Sequence, residues 1–69
     1  MKLTAEQQFA KRLKELRLTR GWSQELVAKK AEIHQTHVGA LERGEKSPTL
    51  MVLTKLAKAF KIKISELFE

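Results

Sequence analysis

The sequence predicts an all-α fold, a compact bundle of five short helices, and three observations support this. Apolar residues recur at spacings of three and four along the 69 residues, as they do on one face of an amphipathic helix. Glycine and proline are rare, with three and one copies, and they fall between the periodic segments. Strand-like alternation is confined to residues 62–64, which is too short for a sheet. We therefore expect a single domain over residues 1–69.

The first predicted helix covers residues 5–20 and has one apolar stripe. The stripe consists of Phe9, Leu13 and Leu16. These positions are related by i, i+4 and i+7, the spacing of one helical face. Thr4 is the expected N-cap, because its hydroxyl can accept a hydrogen bond from a backbone N–H of the first turn. Gly21 is expected to end the helix with a positive φ.

Two short helices, predicted over residues 24–31 and 35–43, are joined by a tight turn. Ser23 is the expected N-cap of the first of them. Their inward-facing residues are Val27, Ala28, Ala31, Val38 and Leu41. An α-helix fits the DNA major groove, and polar side chains near its N-terminus reach base edges. Residues 23–43 are therefore interpreted as a helix-turn-helix that binds DNA.

Two further helices complete the predicted bundle, over residues 50–60 and 64–68. Pro48 interrupts the chain before them, and Thr49 is the expected N-cap of the longer one. The apolar stripe expected for the longer helix consists of Leu50, Leu53, Leu56, Ala57 and Phe60. Met51 and Val52 lie off that stripe and are expected to face solvent.

The composition suggests the kind of partner and argues against several kinds of site. A net charge of +6 and a sequence pI of 10.0 suggest an anionic partner. The lack of cysteine excludes disulfides and thiolate metal sites, and His34 and His37 lack further ligands, so no metal or other cofactor is expected. No catalytic triad or phosphate loop is evident, so an enzyme is not expected. No signal peptide or spanning segment is evident, which predicts a cytoplasmic protein without a membrane partner.

Five short segments between residues 9 and 68 occur in a fixed order and at a fixed spacing that is typical of a known protein family. The segments are Arg17, Ser23-Gln24-Glu25, Leu41-Glu42-Arg43-Gly44, Ser47-Pro48-Thr49-Leu50 and Leu56-Ala57-Lys58-Ala59-Phe60. In these segments the chain resembles the lambda-repressor-like helix-turn-helix family, also called the Cro/C1 or Xre type. The resemblance implies a bacterial or phage regulator that binds a palindromic operator as a dimer. It leaves open a phage repressor, a restriction–modification controller or an antitoxin.

Three residues depart from the pattern of that family. Glu32 stands where the family usually has glycine, and a positive φ there would cost about 1–2 kcal/mol. His34 stands where Ser, Thr or Asp commonly caps the third helix, and histidine is a poorer cap. Lys63 stands where serine often caps the last helix, so that helix is expected to fray or to begin at Ser65.

The candidate DNA-binding residues cluster around the start of the third helix. The candidate base-reading residues are Gln35, Thr36, His37 and Ala40, and the candidate backbone contacts are Ser23, Gln24, Arg43 and Lys46. Glutamine can make two hydrogen bonds to adenine, and a threonine or alanine methyl group can contact the methyl group of thymine. With alanine at residue 40, either such a contact is made or readout ends early. The alternative interpretation is an ordinary polar helix end.

The resemblance also implies a structural ion pair between Arg17 and Glu42. A partly buried pair would hold the third helix against the first. The alternative is two solvated surface charges, which would contribute little to stability.

Apolar residues near the C-terminus are the candidate dimer interface. They are Met51, Val52, Ile62, Ile64 and Phe68. Exposed apolar patches often mark interfaces, so we expect a twofold homodimer through the fourth helix and the C-terminal turn. The alternative is a scatter of separate apolar residues on the surface.

The function predicted from these features is sequence-specific transcriptional regulation through a double-stranded DNA operator. Such a regulator represses by occluding RNA polymerase or activates by touching it, so polymerase is a candidate partner. The alternative is an antitoxin-like or other protein-interaction module with the same fold. The polar N-terminal end of the third helix favours DNA, and the salt dependence of binding distinguishes the two functions.

Overall fold

Four α-helices and a C-terminal 3-10 helix form the protein in a computed structural model that describes residues 2–69. The elements are α1 (Ala5–Thr19), α2 (Gln24–Ala31), α3 (Gln35–Glu42), α4 (Leu50–Phe60) and the 3-10 helix (Ile64–Phe68). No strand occurs among the described residues, so the predicted all-α class is confirmed. The predicted bundle of five helices is corrected in its last member, which is a single 3-10 segment.

The 3-10 helix has no side-chain N-cap, because the side chain of Lys63 contains no hydrogen-bond acceptor. Instead, the carboxylate of Glu66 accepts a hydrogen bond from the backbone N–H of Lys63 at 2.9 Å. The segment therefore begins at Ile64, as the predicted range has it, and not at Ser65.

Hydroxyl side chains determine where three of the α-helices begin. The hydroxyl of Thr4 accepts from the backbone N–H of Gln7, and the Gln7 side chain accepts from the backbone N–H of Thr4. Ser23 caps α2 through the backbone N–H three residues later, and Thr49 caps α4 in the same way. All three predicted caps are confirmed, and the caps satisfy N–H groups that have no partner inside the helix.

Left-handed residues end two of the α-helices, although neither residue is a glycine. Glu32 follows α2 with φ 57°, and Lys61 follows α4 with φ 58°. After α2, the backbone N–H of Ile33 reaches back to the carbonyl of Ala28 at 3.0 Å, which closes the helix end in a Schellman arrangement. The positive φ considered at Glu32 is therefore present, with its backbone strain, and Lys61 adopts the same left-handed conformation.

One hydrophobic core joins all five elements. Its buried members include Phe9, Leu13, Val27, Val38, Leu41, Leu56, Phe60 and Leu67. Helix α2 packs against α3 and α4, while α1 packs against α3 and the 3-10 helix. Val38 and Leu41 are fully buried and anchor α3 to this core, and the exposed residues of α3 lie in its first turn.

The face of α4 that enters the core differs from the prediction at two positions. Val52, expected in solvent, is 7% exposed, and Leu50, expected in the apolar stripe, is 73% exposed. Val52 precedes Leu56 by four residues and Phe60 by eight, so these three side chains share one helical face. Leu50 is the first residue of α4 and lies at the edge of that face.

Candidate nucleic-acid interface

The N-terminal end of α3 presents polar side chains to solvent. Gln35 and Thr36 are exposed, and His37 is half-buried beside them. The ring nitrogen Nδ1 of His34 accepts a weak hydrogen bond from the backbone N–H of Thr36 at 3.4 Å, so histidine does serve as the N-cap here. The three predicted base-reading residues at the start of α3 therefore lie together on one accessible turn of helix.

Ala40, the fourth predicted base-reading residue, is not accessible. It is only 6% exposed. Its carbonyl accepts a hydrogen bond from the backbone N–H of Glu45 at 3.0 Å, where the chain turns after α3. Ala40 therefore offers little exposed surface for the predicted base contact.

The side chains of Arg17 and Glu42 form a bidentate ion pair. Nε of Arg17 lies 2.6 Å from one carboxylate oxygen of Glu42, and Nη2 lies 3.0 Å from the other. The two side chains are 12% and 4% exposed, so the pair is largely shielded from water. These hydrogen bonds raise the pKa of Arg17 above its usual range. The pair joins α1 to the end of α3.

Two further hydrogen bonds extend this ion pair. The remaining terminal nitrogen of Arg17 donates to the carbonyl of Trp22 at 3.0 Å. The side-chain amide of Gln24 donates to Glu42 at 3.1 Å. Gln24, expected as a backbone contact, therefore has one amide N–H engaged within the protein. Together these bonds tie the end of α1, the start of α2 and the end of α3 into one network.

The remaining candidate contacts to the DNA backbone differ in the hydrogen bonds that their side chains make within the protein. Ser23 is exposed, but its hydroxyl already caps α2. Lys46 is exposed in the loop after α3. Arg43 is exposed and paired with Glu45, with Nε to carboxylate oxygen at 2.7 Å and Nη2 to the other oxygen at 3.2 Å. This hydrogen bonding lowers the pKa of Glu45 and raises that of Arg43. The Glu45 partner is a residue that the sequence reasoning missed.

The predicted dimer patch is smaller than expected and is differently composed. Met51 and Phe68 are exposed, Ile62 and Ile64 are half-buried against the core, and Val52 belongs to the core. Leu50 is exposed and was missed, because it was assigned to the buried stripe. The exposed apolar residues Leu50 and Met51 are adjacent at the start of α4.

Neither a metal-ligand cluster nor a membrane-spanning helix occurs among the described residues. Among residues 2–69 there is no group of three or more His, Cys, Asp or Glu side chains placed to hold a metal ion. None of the helices formed by these residues is long and apolar enough to cross a membrane.

The sequence is similar to those of known helix-turn-helix transcriptional regulators. The Helix-turn-helix family pattern HTH_3 matches residues 13–67. The chain is 35% identical over 57 residues to an uncharacterised HTH-type transcriptional regulator, YgzD, of Bacillus subtilis, covering 83% of this chain and 86% of the relative. It is 38% identical over 53 residues to the HTH-type transcriptional regulator SutR of Escherichia coli, covering 77% of this chain and 30% of SutR.

The comparison of structures agrees with the comparison of sequences. The restriction-modification controller protein C.AhdI of Aeromonas hydrophila superimposes with a TM-score of 0.88 at 40% identity, covering 91% of this chain and 96% of that one. With α2 and α3 forming the two helices of the motif, the chain belongs to the lambda-repressor-like helix-turn-helix family of DNA-binding transcription regulators.

Proposed function

We propose that this regulator reads a palindromic DNA operator as a homodimer, with the N-terminal end of α3 in the major groove. The observation that carries the proposal is the placement of Gln35 and Thr36, which are exposed together at the start of a short helix whose later residues, 38–41, are buried. Both side chains have the hydrogen-bonding or methyl groups that read base edges. Readout by Ala40 is not part of the proposal.

The network around Arg17 and Glu42 supports this placement of α3. A recognition helix discriminates bases only if its position relative to the rest of the protein is fixed, since contacts to base edges tolerate little displacement. The bidentate pair and the amide of Gln24 hold the end of α3. Arg17 and Glu42 therefore act as positioning residues and do not themselves contact DNA.

Backbone contacts supply affinity and orientation in this proposal. The chain has a net charge of +6, and Lys46 follows α3 on an exposed loop. Ser23 opens α2, whose first backbone N–H groups point toward the helix N-terminus, an arrangement that favours a phosphate. Such contacts fix the register of the protein on DNA without reading its sequence.

The homodimer is supported by the exposed apolar residues Leu50, Met51 and Phe68. A twofold dimer would place two copies of α3 in successive major grooves on one side of the duplex. Similarity to C.AhdI favours a controller of the restriction–modification type among the regulators of this family. The same apolar residues favour a second candidate function, docking of a protein partner such as a toxin or RNA polymerase.

A selection from a randomised duplex library at about 0.15 M salt tests the proposal. We expect a pseudo-palindrome whose half-site centres are about one helical turn apart. Affinity for that site should fall steeply as salt rises, because phosphate contacts release counterions. A chain that enriches no sequence, and binds DNA weakly at low salt, would instead support the protein-docking function.

A further inference from the structure

Residue 39 is a glycine on α3, and it is buried beneath neighbouring side chains. Gln35, Gly39 and Arg43 are spaced i, i+4 and i+8, so they form one row along the helix. A row that begins with the exposed Gln35 faces the DNA in the proposed mode of binding. Gly39 contributes no side chain to the row.

The side chain of Arg43 extends back over Gly39. A Cβ atom built on Gly39 would lie 3.0 Å from Nη1 of Arg43 and 3.6 Å from the side-chain oxygen of Gln24. The guanidinium group therefore occupies the space where a longer side chain at residue 39 would begin. Long side chains on a helix point toward its N-terminus, which agrees with this direction.

Glu45 orients the guanidinium group and leaves one edge of it available. The carboxylate engages Nε and one N–H of Nη2. Among the hydrogen bonds of residues 2–69, none uses Nη1. A guanidinium has five N–H groups, so the edge formed by Nη1 and the second N–H of Nη2 retains two parallel donors. Two parallel donors match the O6 and N7 acceptors of guanine in the major groove.

We propose that Arg43 reads a guanine in each operator half-site, that Gly39 gives it room to do so, and that Glu45 is its positioning residue. This inference rests on the proposed DNA-binding mode and changes the expected role of Arg43 from a backbone contact to a base contact. Base readout would then extend about two helical turns along α3, from Gln35 to Arg43. Arg43 would supply the contact that was predicted for Ala40.

The library selection distinguishes this role from a phosphate contact when it is repeated with Arg43→Ala. A base-reading role predicts that preference for guanine at one position of each half-site falls about 5-fold to 150-fold, with the other positions unchanged. A phosphate contact predicts equal weakening for every sequence and a salt slope lower by about one, and that result would overturn the inference. Lys46→Ala is the matched control for a phosphate contact: it removes a nearby exposed charge and should weaken binding to every sequence while leaving base preferences intact.

Gly39→Ala provides a second test that keeps Arg43 in the chain. Alanine favours helix over glycine, so this variant should fold, but its Cβ requires the guanidinium to shift. Preference for the same guanine should weaken while net charge stays constant. An unchanged guanine preference in Gly39→Ala would contradict the role given to residue 39.

Glu45→Gln tests the positioning residue. Removing its negative charge should raise affinity for nonspecific duplex DNA, while weaker hold on the guanidinium should reduce the preference for guanine. If the preference is unchanged, Glu45 does not position Arg43. If the wild-type chain enriches no sequence at all, the proposed function itself fails. If the wild-type chain selects an operator whose guanine preference survives Arg43→Ala, only the role of Arg43 fails.

Discussion

Breaking the ion pair between Arg17 and Glu42 should strongly destabilise the folded protein. Arg17→Ala would leave the Glu42 carboxylate, whose side chain is 4% exposed, with the amide of Gln24 as its remaining side-chain donor. A largely buried charge without its partner is costly, since neither water nor an opposite charge compensates for it. The variant also frees the carbonyl of Trp22 from its hydrogen bond.

The expected loss is about 3 kcal/mol, the lower end of the usual 3–5 kcal/mol for removing one partner of a buried pair. The lower end applies because Gln24 still donates one hydrogen bond to Glu42. A domain of this length has a total unfolding free energy of about 3–10 kcal/mol. Arg17→Ala should therefore lower the denaturant midpoint sharply, and DNA binding should fall with the folded fraction.

A double-mutant cycle of Arg17→Ala and Glu42→Ala, measured by urea unfolding, isolates the pairwise contribution. Trp22 fluorescence reports unfolding, because the indole stacks on Phe60 with ring centroids 5.2 Å apart, and helical circular dichroism is the independent probe. The same cycle on the exposed pair of Arg43 and Glu45 is the control and should show little coupling. Coupling between Arg17 and Glu42 as small as in this control would refute the reasoning.

Three further predictions concern backbone strain, a carboxyl pKa and assembly. Glu32→Gly should stabilise the fold by about 1 kcal/mol in thermal unfolding, because the φ of 57° suits glycine; a lower stability would contradict the assigned strain. The hydroxyl of Ser47 donates to Glu6 at 2.8 Å and lowers the pKa of that carboxyl. Ser47→Ala should return the pKa toward its ordinary value in an NMR titration, and an unmoved pKa would exclude the bond. Since the folded-state pKa of Glu6 is lowered, its contribution to stability is present above the unfolded pKa and is lost as pH falls through the lowered value. Met51→Glu should shift sedimentation of the proposed dimer toward monomer, whereas an unchanged distribution would place the interface elsewhere.

Most helix boundaries follow from the sequence because their causes are local. Thr4, Ser23 and Thr49 each satisfy backbone groups within three residues, so the cap and the helix that it begins are adjacent in the chain. The positive φ at Glu32 is indicated only by the resemblance to the family, which usually has glycine at that position, and the positive φ at Lys61 has no such signal in the sequence.

The face of α4 and the roles of α3 residues depend on contacts between elements. The spacing of apolar residues in α4 does not decide between Leu50 and Val52, and in the folded protein Val52 is buried while Leu50 is exposed. Ala40 is buried in the folded protein, which its position in the helix does not reveal.

The orientation of Arg43 depends on two other residues. Glu45 engages one edge of the guanidinium, and Gly39 leaves room for it over the helix. Neither the hydrogen bonds to Glu45 nor the space above Gly39 follows from a spacing pattern in the sequence. The sequence therefore predicts only a DNA-backbone contact for Arg43.

The central claim is that the start of α3 reads DNA sequence, and a comparison of operators selected by the wild type and by Gln35→Ala tests it most directly. Lys58→Ala, which alters an exposed residue of α4 outside α3, is the control for the effect of a surface substitution as such. We predict that the wild type and Lys58→Ala select the same pseudo-palindrome, and that Gln35→Ala loses preference at one or two positions of each half-site. Identical base preferences in all three proteins would contradict the claim.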